Sequence, residues 1–519
     1  MNILEHAVSL GIDPRTVRNW APIANDLIAK DQSVEFPAGI FHLGDSTPPP
    51  ANDPFPDPNS RGAIIWGWNR TKNVSISGAG IGQTVLRIAD NVILPQNFSP
   101  LSNFWSMIFT GGQGPADSVD CANSRVIGIT FDGNHRNNPS FTNKAIRIVG
   151  SNTVIESCEF LDFATGTPPG GPAIAPECFV VECFLATSSA PESKGATIRN
   201  CTFRMPGRKW NSNPGYTTEN TQVDVGGNML RGISASGVVV EGCRFSGDFN
   251  RTNQQSPLHG ITLFNTIGAV IRDNVFVDFQ GSCIYADSGP QIGTKITGNT
   301  ATNVWTFVQL SVQNWVRMGS GPWQIARFKD MVISGNNVSL SSGSAPYAWD
   351  APDQPSAFLG YLWDRDVDPT RPSFENVVVA GDNIVKSPSN AYIVMNYGGY
   401  SPREGRWMPG DVLGGTDGIR LETSSANAGA GTTFAEDRAA DRQRATSPVV
   451  PTIVPQTAKV VHPLPPTVPP ASFGPTVQES SVVSSDMVQA PTTRISAPND
   501  GTPIAVIASL AVLWAISSR

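Results

Sequence analysis

The chain is poor in charge. Only 15% of its 519 residues are Asp, Glu, Lys or Arg, with 43 acids against 36 bases and a formal net charge of −7. That shortage excludes a long coiled coil and a strongly charged disordered chain. The deficit of bases also argues against a general nucleic-acid binder, which needs a basic stripe to meet phosphates. Cysteine is scarce and odd in number, at positions 121, 158, 178, 183, 201, 243 and 283. None forms a Cys-x-x-Cys pair and no His stands at zinc-ligand spacing, so no metal site is expected from them. The first residues lack a basic stretch followed by an apolar one, so no N-terminal signal peptide is visible. A run of about 20 apolar residues, the length of a spanning helix, is also lacking. The nearest approach is residues 503–516, uncharged and apolar but short of that length.

Gly (49) and Pro (43) are abundant instead. A chain of this length exceeds one ordinary compact core, which predicts several domains or an elongated repeat. Four regions are expected. Residues 1–45 form an N-terminal capping helix and opening strand, and 46–430 form the body. Residues 431–502 are a Pro/Ser/Thr-rich linker that buries too little apolar surface to fold and stays disordered and extended. Residues 503–519 are an apolar C-terminal segment, suited to a membrane or envelope anchor, a lipid-anchor signal or a docking helix.

Inside the body one phrase recurs. Its clearest copies are Thr153-Val-Ile-Glu-Ser-Cys-Glu-Phe160, Ala196-Thr-Ile-Arg-Asn-Cys-Thr-Phe203, Val238-Val-Val-Glu-Gly-Cys-Arg-Phe245 and Ala269-Val-Ile-Arg-Asp-Asn-Val-Phe276. Weaker copies start at Thr294, Met331 and Val377. The anchors are Ile155, Ile198, Val240, Ile271, Ile296, Ile333 and Val379, spaced 25 to 46 residues apart. A constant strand block with variable insertions marks a solenoid. The strands are short and β-branched, the turns rich in Gly and Asn, and no helical period separates them. Each rung is therefore expected to hold three short strands stacked on the next rung at about 4.8 Å. The bend position reads Cys158, Cys201, Cys243, Asn274, Asn299, Asn336, Asp382, a Cys run followed by an Asn ladder. Asn is expected there because it tolerates the left-handed conformation and hydrogen-bonds backbone in such bends. Phe160, Phe203, Phe245 and Phe276 are expected to stack inside. First strands are read just before each phrase, among them Ala145–Val149, Cys178–Val181, Gly232–Ala235, Gly260–Phe264 and Ser282–Tyr285.

These phrases resemble the pectin-lyase-like right-handed parallel β-helix superfamily, over about residues 13–400. The opening supports the resemblance. Pro14–Lys30 reads as an amphipathic helix, and Asp31-Gln-Ser-Val-Glu-Phe-Pro-Ala-Gly-Ile-Phe-His-Leu43 is similar to the family's strand, Pro-Ala-Gly, strand phrase. Ile76-Ser-Gly-Ala-Gly-Ile-Gly-Gln-Thr-Val-Leu-Arg87 and Ile129-Thr-Phe-Asp-Gly-Asn134 are further family-like stretches. The resemblance implies an all-β solenoid whose open end is capped by a helix. It also implies polysaccharide binding along the first strands, through lyase, hydrolase, tailspike or adhesin activity. Fold alone does not choose among these.

The links from third strands to the next first strands are long at 204–230, 246–258 and 339–390, and they frame one edge of the solenoid, where binding groups belong. Along it the reading places Lys144, Glu177, Arg231, His259 and Ser282 in one polar column. Nearby loops add Arg208, Lys209, Trp210, Asp224, Asp248 and Arg251, and Asp287 ends a first strand. His259, Arg231, Glu177, Asp224 and Asp248 are the catalytic candidates, and the others are substrate-binding candidates. Elimination from a uronic acid needs a cation beside the carboxylate and a base for the C5 proton, while hydrolysis needs two carboxyl groups. Leu258-His-Gly-Ile261 resembles a phrase of polygalacturonase-type hydrolases. The paired aspartates of those enzymes are replaced here by Gly281 and Ser282, and their Asn-Thr-Asp phrase by Met229-Leu-Arg231. No cofactor is required. Calcium is the one ion weighed, at Asp132-Gly-Asn-His-Arg-Asn-Asn138, where no evenly spaced acids follow and Asp-Gly-Asn is a turn signal.

The resulting expectation is an extracellular, cell-surface or virion-borne protein that cleaves an acidic polysaccharide by elimination or hydrolysis. A non-catalytic glycan-binding spike or adhesin is the competing reading. Such a solenoid can also trimerise along its length.

Overall fold

A computed structural model describes residues 1–48, 55, 62–65, 73–93, 104–109, 121–139, 142–163, 178–185, 194–204, 220–227, 234–247, 258–312, 327–341, 356–363, 373–386, 392–401, 406–408 and 418–422. The linker and the apolar segment at 503–516 lie outside the described residues. The body is a parallel β-helix. Its second strands form one eleven-stranded parallel sheet running from Val34–Phe36 to Ile419–Leu421. Eleven strands span about 48 Å at the usual parallel spacing. The seven anchors of the recurring phrase are register partners in unbroken order, Ile155 with Ile198, then Val240, Ile271, Ile296, Ile333 and Val379. Each strand there is only three residues long, because a two-residue bend follows it at once.

The bend explains the fixed spacing. Its first residue takes a positive φ: Ser157, Asn200, Gly242, Asp273, Gly298 and Gly335. Its second residue carries the ladder. The Cys243 amide donates to Asn274 Oδ1, Asn274 to Asn299 Oδ1, and Asn299 to Asn336 Oδ1, each at 3.0 Å. The left-handed residue is thus the one before the ladder position, so of the two expected causes the backbone hydrogen bonds hold and the left-handed conformation does not. The ladder Asn is retained for its amide, which satisfies a buried backbone N–H one rung below and donates to a buried carbonyl, as Asn299 does to Ile271. The last rung differs by one residue. Asn383, not Asp382, accepts from the Asn336 amide at 3.1 Å, because the bend from Ala380 is longer there.

Phe131, Phe160, Phe203, Phe245 and Phe276 stack up the interior with centroids 4.6 to 5.3 Å apart. Each such buried ring contributes about 1.5–3 kcal/mol by transfer from water. Cys121, Cys158, Cys183, Cys201, Cys243 and Cys283 are buried and in no disulfide. Burial pushes the Cys158, Cys201 and Cys283 thiols well up, so they pack as small apolar groups.

Two helices, α1 (Ile3–Ser9) and α2 (Ala21–Ile28), close the N-terminal end. The single helix expected over Pro14–Lys30 is corrected. Pro14–Thr16 is a 3-10 turn capped by the Asp13 side chain, and α2 starts only at Ala21, with Pro22 in its first turn. The helices bury Ile3, Ala7, Ile23 and Leu27 over the first rung, while Val8 faces solvent.

The first strands run parallel as Phe104–Phe109, Thr142–Val149, Cys178–Phe184, Asn220–Gly226, Leu258–Ile267 and onward. In Val275–Ile292 and Thr300–Val312 the third strand continues into the next first strand. Asn220–Gly226 corrects the expected first strand at Gly232–Ala235. Stretches 204–230 and 339–390, taken as links, each contain a first strand, Asn220–Gly226 and Ala357–Trp363.

Candidate functional site

The alternation of the first strands sorts inside from outside. Ile146, Val181, Val223, Ile261, Ile284 and Val308 are fully buried core residues in register with one another. The residue after each belongs to the opposite face: Arg147, Glu182, Asp224, Thr262, Tyr285 and Gln309. This row contains a cation, two acids and three neutral hydrogen-bonding groups, one per rung. Three positions earlier a second row holds Lys144, Phe179, Thr221, His259, Ser282 and Thr306.

Side chains bridge the two rows. Lys144 Nζ lies 3.1 Å from Glu182 Oε1, with side-chain exposures of only 2% and 6%. Arg147 Nε is 4.0 Å from the other oxygen, Oε2, which accepts no hydrogen bond although it is buried. Asp224 is the strand neighbour of Glu182, about 4.8 Å along the stack, and is equally buried. Higher up, the Thr221 and Thr262 hydroxyls are hydrogen-bonded at 3.0 Å. His259 Nδ1 lies 2.5 Å from Ser282 Oγ and accepts from the Ser282 amide at 3.3 Å, so the proton of the neutral ring sits on Nε2. The His259 ring lies flat against Tyr285, centroids 4.5 Å apart. Burial lowers its pKa to about 3, which keeps it uncharged.

An aromatic edge borders the acids. Phe184, Gly226 and Phe264 are consecutive register partners, and Phe184 and Phe264 approach to 5.1 Å across the glycine. A Cβ at Gly226 would fall 2.1 Å from the Phe264 carbonyl oxygen, so the position admits no side chain.

The structure therefore gathers Lys144, Asp224, His259 and Ser282 on one face. Glu177, Arg208, Lys209, Trp210, Arg231, Asp248 and Arg251 lie outside the described residues, and Asp287 is described only as a backbone partner of Phe264. The expected column also slips. Counted back from the Ile146–Val181 pair, Lys144 is level with Phe179, two residues after Glu177, and Phe179 pairs on the rung above with Thr221 rather than Arg231. Asp224, expected in a loop, is a strand residue. Glu182, Arg147, Thr262, Tyr285 and Gln309 were missed. The signal that could have found them is the apolar–polar alternation in Val181-Glu-Cys and Val223-Asp-Val. Trp305, on the strand Thr300–Val312, is fully buried. Among the described residues no cluster of His, Cys, Asp and Glu could hold a metal ion, and no helix is long and apolar enough to cross a membrane.

Fold and site define a parallel β-helix protein with a mixed-charge polar row on its first-strand face. The chain is similar in structure to the tailspike protein of E. coli bacteriophage HK620 in complex with a pentasaccharide, with TM-score 0.50 and 15% sequence identity. That match covers 77% of this chain and 60% of the tailspike, so the chain spans well under two thirds of the tailspike's length. A looser match, TM-score 0.37 and 13% identity, pairs 81% of this chain with 97% of the A-module of the Azotobacter vinelandii mannuronan C-5 epimerase AlgE4. No protein-family model and no curated protein sequence matches the chain.

Proposed function

We propose that the chain is a polysaccharide-cleaving protein that hydrolyses an acidic glycan laid along its first-strand face. One observation carries the reading. Glu182 and Asp224 stand in register on neighbouring rungs, both nearly buried, and Glu182 retains an oxygen without a hydrogen bond. Like charges opposed on adjacent strands destabilise a sheet, so the pair is not explained by stability. Two neighbouring carboxyl groups suit glycosidic hydrolysis, one protonating the leaving oxygen and the other acting as base or nucleophile. Arg147 beside them, the more exposed of the two cations, suits an acidic sugar, while Thr262, Tyr285 and Gln309 suit sugar hydroxyls. The pentasaccharide held by the tailspike of the same fold supports a glycan as ligand. In this reading His259 supports Tyr285 rather than abstracting a proton, since its Nδ1 is occupied and its ring stays neutral. Such a protein would work outside the cell, on its surface or on a virion, with residues 503–516 as an anchor and trimerisation along the solenoid as further parts of the proposal.

The second reading, a glycan-binding spike without catalysis, is favoured by the upper half of the row, where Thr262, Tyr285 and Gln309 offer hydrogen bonds and no carboxylate. The discriminating experiment incubates the full chain with a panel of acidic and neutral polysaccharides. New reducing ends without the ultraviolet absorbance of an unsaturated uronate establish hydrolysis. That absorbance would establish elimination and overturn the acid-pair mechanism. Binding without either product would favour the spike.

A further inference from the structure

We infer that Lys144 is a positioning residue for Glu182: it commits one carboxylate oxygen and leaves the other for the glycan or the attacking water. The inference rests on the hydrolase reading and assigns roles within it. Lys144 Nζ takes Glu182 Oε1 at 3.1 Å from the preceding rung, with almost no solvent at either group. Glu182 Oε2 is buried and accepts no hydrogen bond, and the cation on its side, Arg147 Nε, stops at 4.0 Å.

A buried pair of this kind is a poor stabilising device. Removing two charges from water is repaid only when every lone pair is satisfied, and well-packed apolar residues serve as well or better. Here one lone-pair set is left open in a site that excludes water, where a buried acceptor costs most. A glycan hydroxyl, or a water held by the glycan, would satisfy it. The arrangement also fixes the carboxylate plane, because a lysine on the preceding rung reaches only the oxygen nearest it. Preorganisation of this sort raises the rate of the bound complex more than it tightens binding.

The test measures kcat, KM and Tm for the full chain and its K144M, K144R, E182Q and K144M/E182Q variants on the cleaved polysaccharide. Expected is a loss of about 100-fold in kcat for K144M, with KM changed by no more than about threefold. K144R should recover much of the rate, since it restores a cation on Oε1. Because K144M removes the nearer of the two cations on buried Glu182 and can fail to fold, the double variant provides the control. It should regain wild-type Tm yet stay as slow as E182Q alone, the non-additivity expected of groups acting as one unit. A K144M variant with wild-type kcat and only a lowered Tm would overturn this inference alone. A wild-type chain that cleaves nothing on the panel would overturn the hydrolase reading and, with it, this one.

Discussion

Two outer faces of the same solenoid solve the problem of stacking charge differently. On the second-strand sheet, Glu156, Arg199, Glu241 and Arg272 follow one another in register. Signs alternate, the pairs Glu156–Arg199 and Glu241–Arg272 close at 2.8 and 2.5 Å, and the arginines are 39% and 52% exposed. On the first-strand face the order is Arg147, Glu182, Asp224, and the two acids adjoin with little solvent. The first pattern suits strands in register, because each charge then stands beside charges of opposite sign. The second violates that rule. A local rule broken inside a chain that otherwise obeys it marks a place retained for function.

The comparison can be broken by substitution, beginning with the acid pair. D224N is expected to lower polysaccharide cleavage by about 10²–10⁴-fold while Tm holds or rises, since it removes the like charge beside Glu182. A lower Tm with an unchanged rate would make the pair structural.

The next effect is a pH dependence on the same face. His259 has its pKa lowered to about 3, against an ordinary 6.5, so the unfolded chain binds its proton first. Stability is therefore complete above pH 6.5 and is lost as pH falls toward 3, by on the order of 4 kcal/mol for this one group. H259Q should flatten the fall of Tm between those limits, and a profile parallel to wild type would show that the ring is hydrated.

A smaller loss is expected from N299A, which strands the Asn274 amide and opens the ladder, at about 1–3 kcal/mol in chemical denaturation. Smallest is R272Q on the alternating ladder. Its pair with Glu241 is exposed and screened by salt, so Tm should match wild type at physiological ionic strength and differ only in low salt. A large loss there would place the alternating face, too, under a constraint beyond register.

The contrast also separates what could be read from the residues. Anchors Ile155 to Val379 were aligned across gaps of 25 to 46 residues, and the structure pairs them as aligned. Second and third strands are joined by a two-residue bend, so their spacing is a local property with a repeated signature. The slip at Asp382 came where that bend lengthens by one residue. First strands have no such tie. They follow insertions of different length, and Asn220–Gly226 and Ala357–Trp363 were passed over inside stretches taken as loops. Lys144, His259 and Ser282 were legible as one column because each opens a recognisable strand. Glu182 was not, because its neighbours on Cys178–Phe184 had been aligned two residues out of step.

The amino-acid sequence alone therefore determined the rung: β-branched strand, left-handed residue, ladder residue, stacked ring, each set by contacts within a few positions or by an identical neighbour. Only the tertiary structure decided which polar residues share the first-strand face. Their register is set by hydrogen bonds between segments tens of residues apart, and a shift of one residue would turn every side chain to the other side of the sheet.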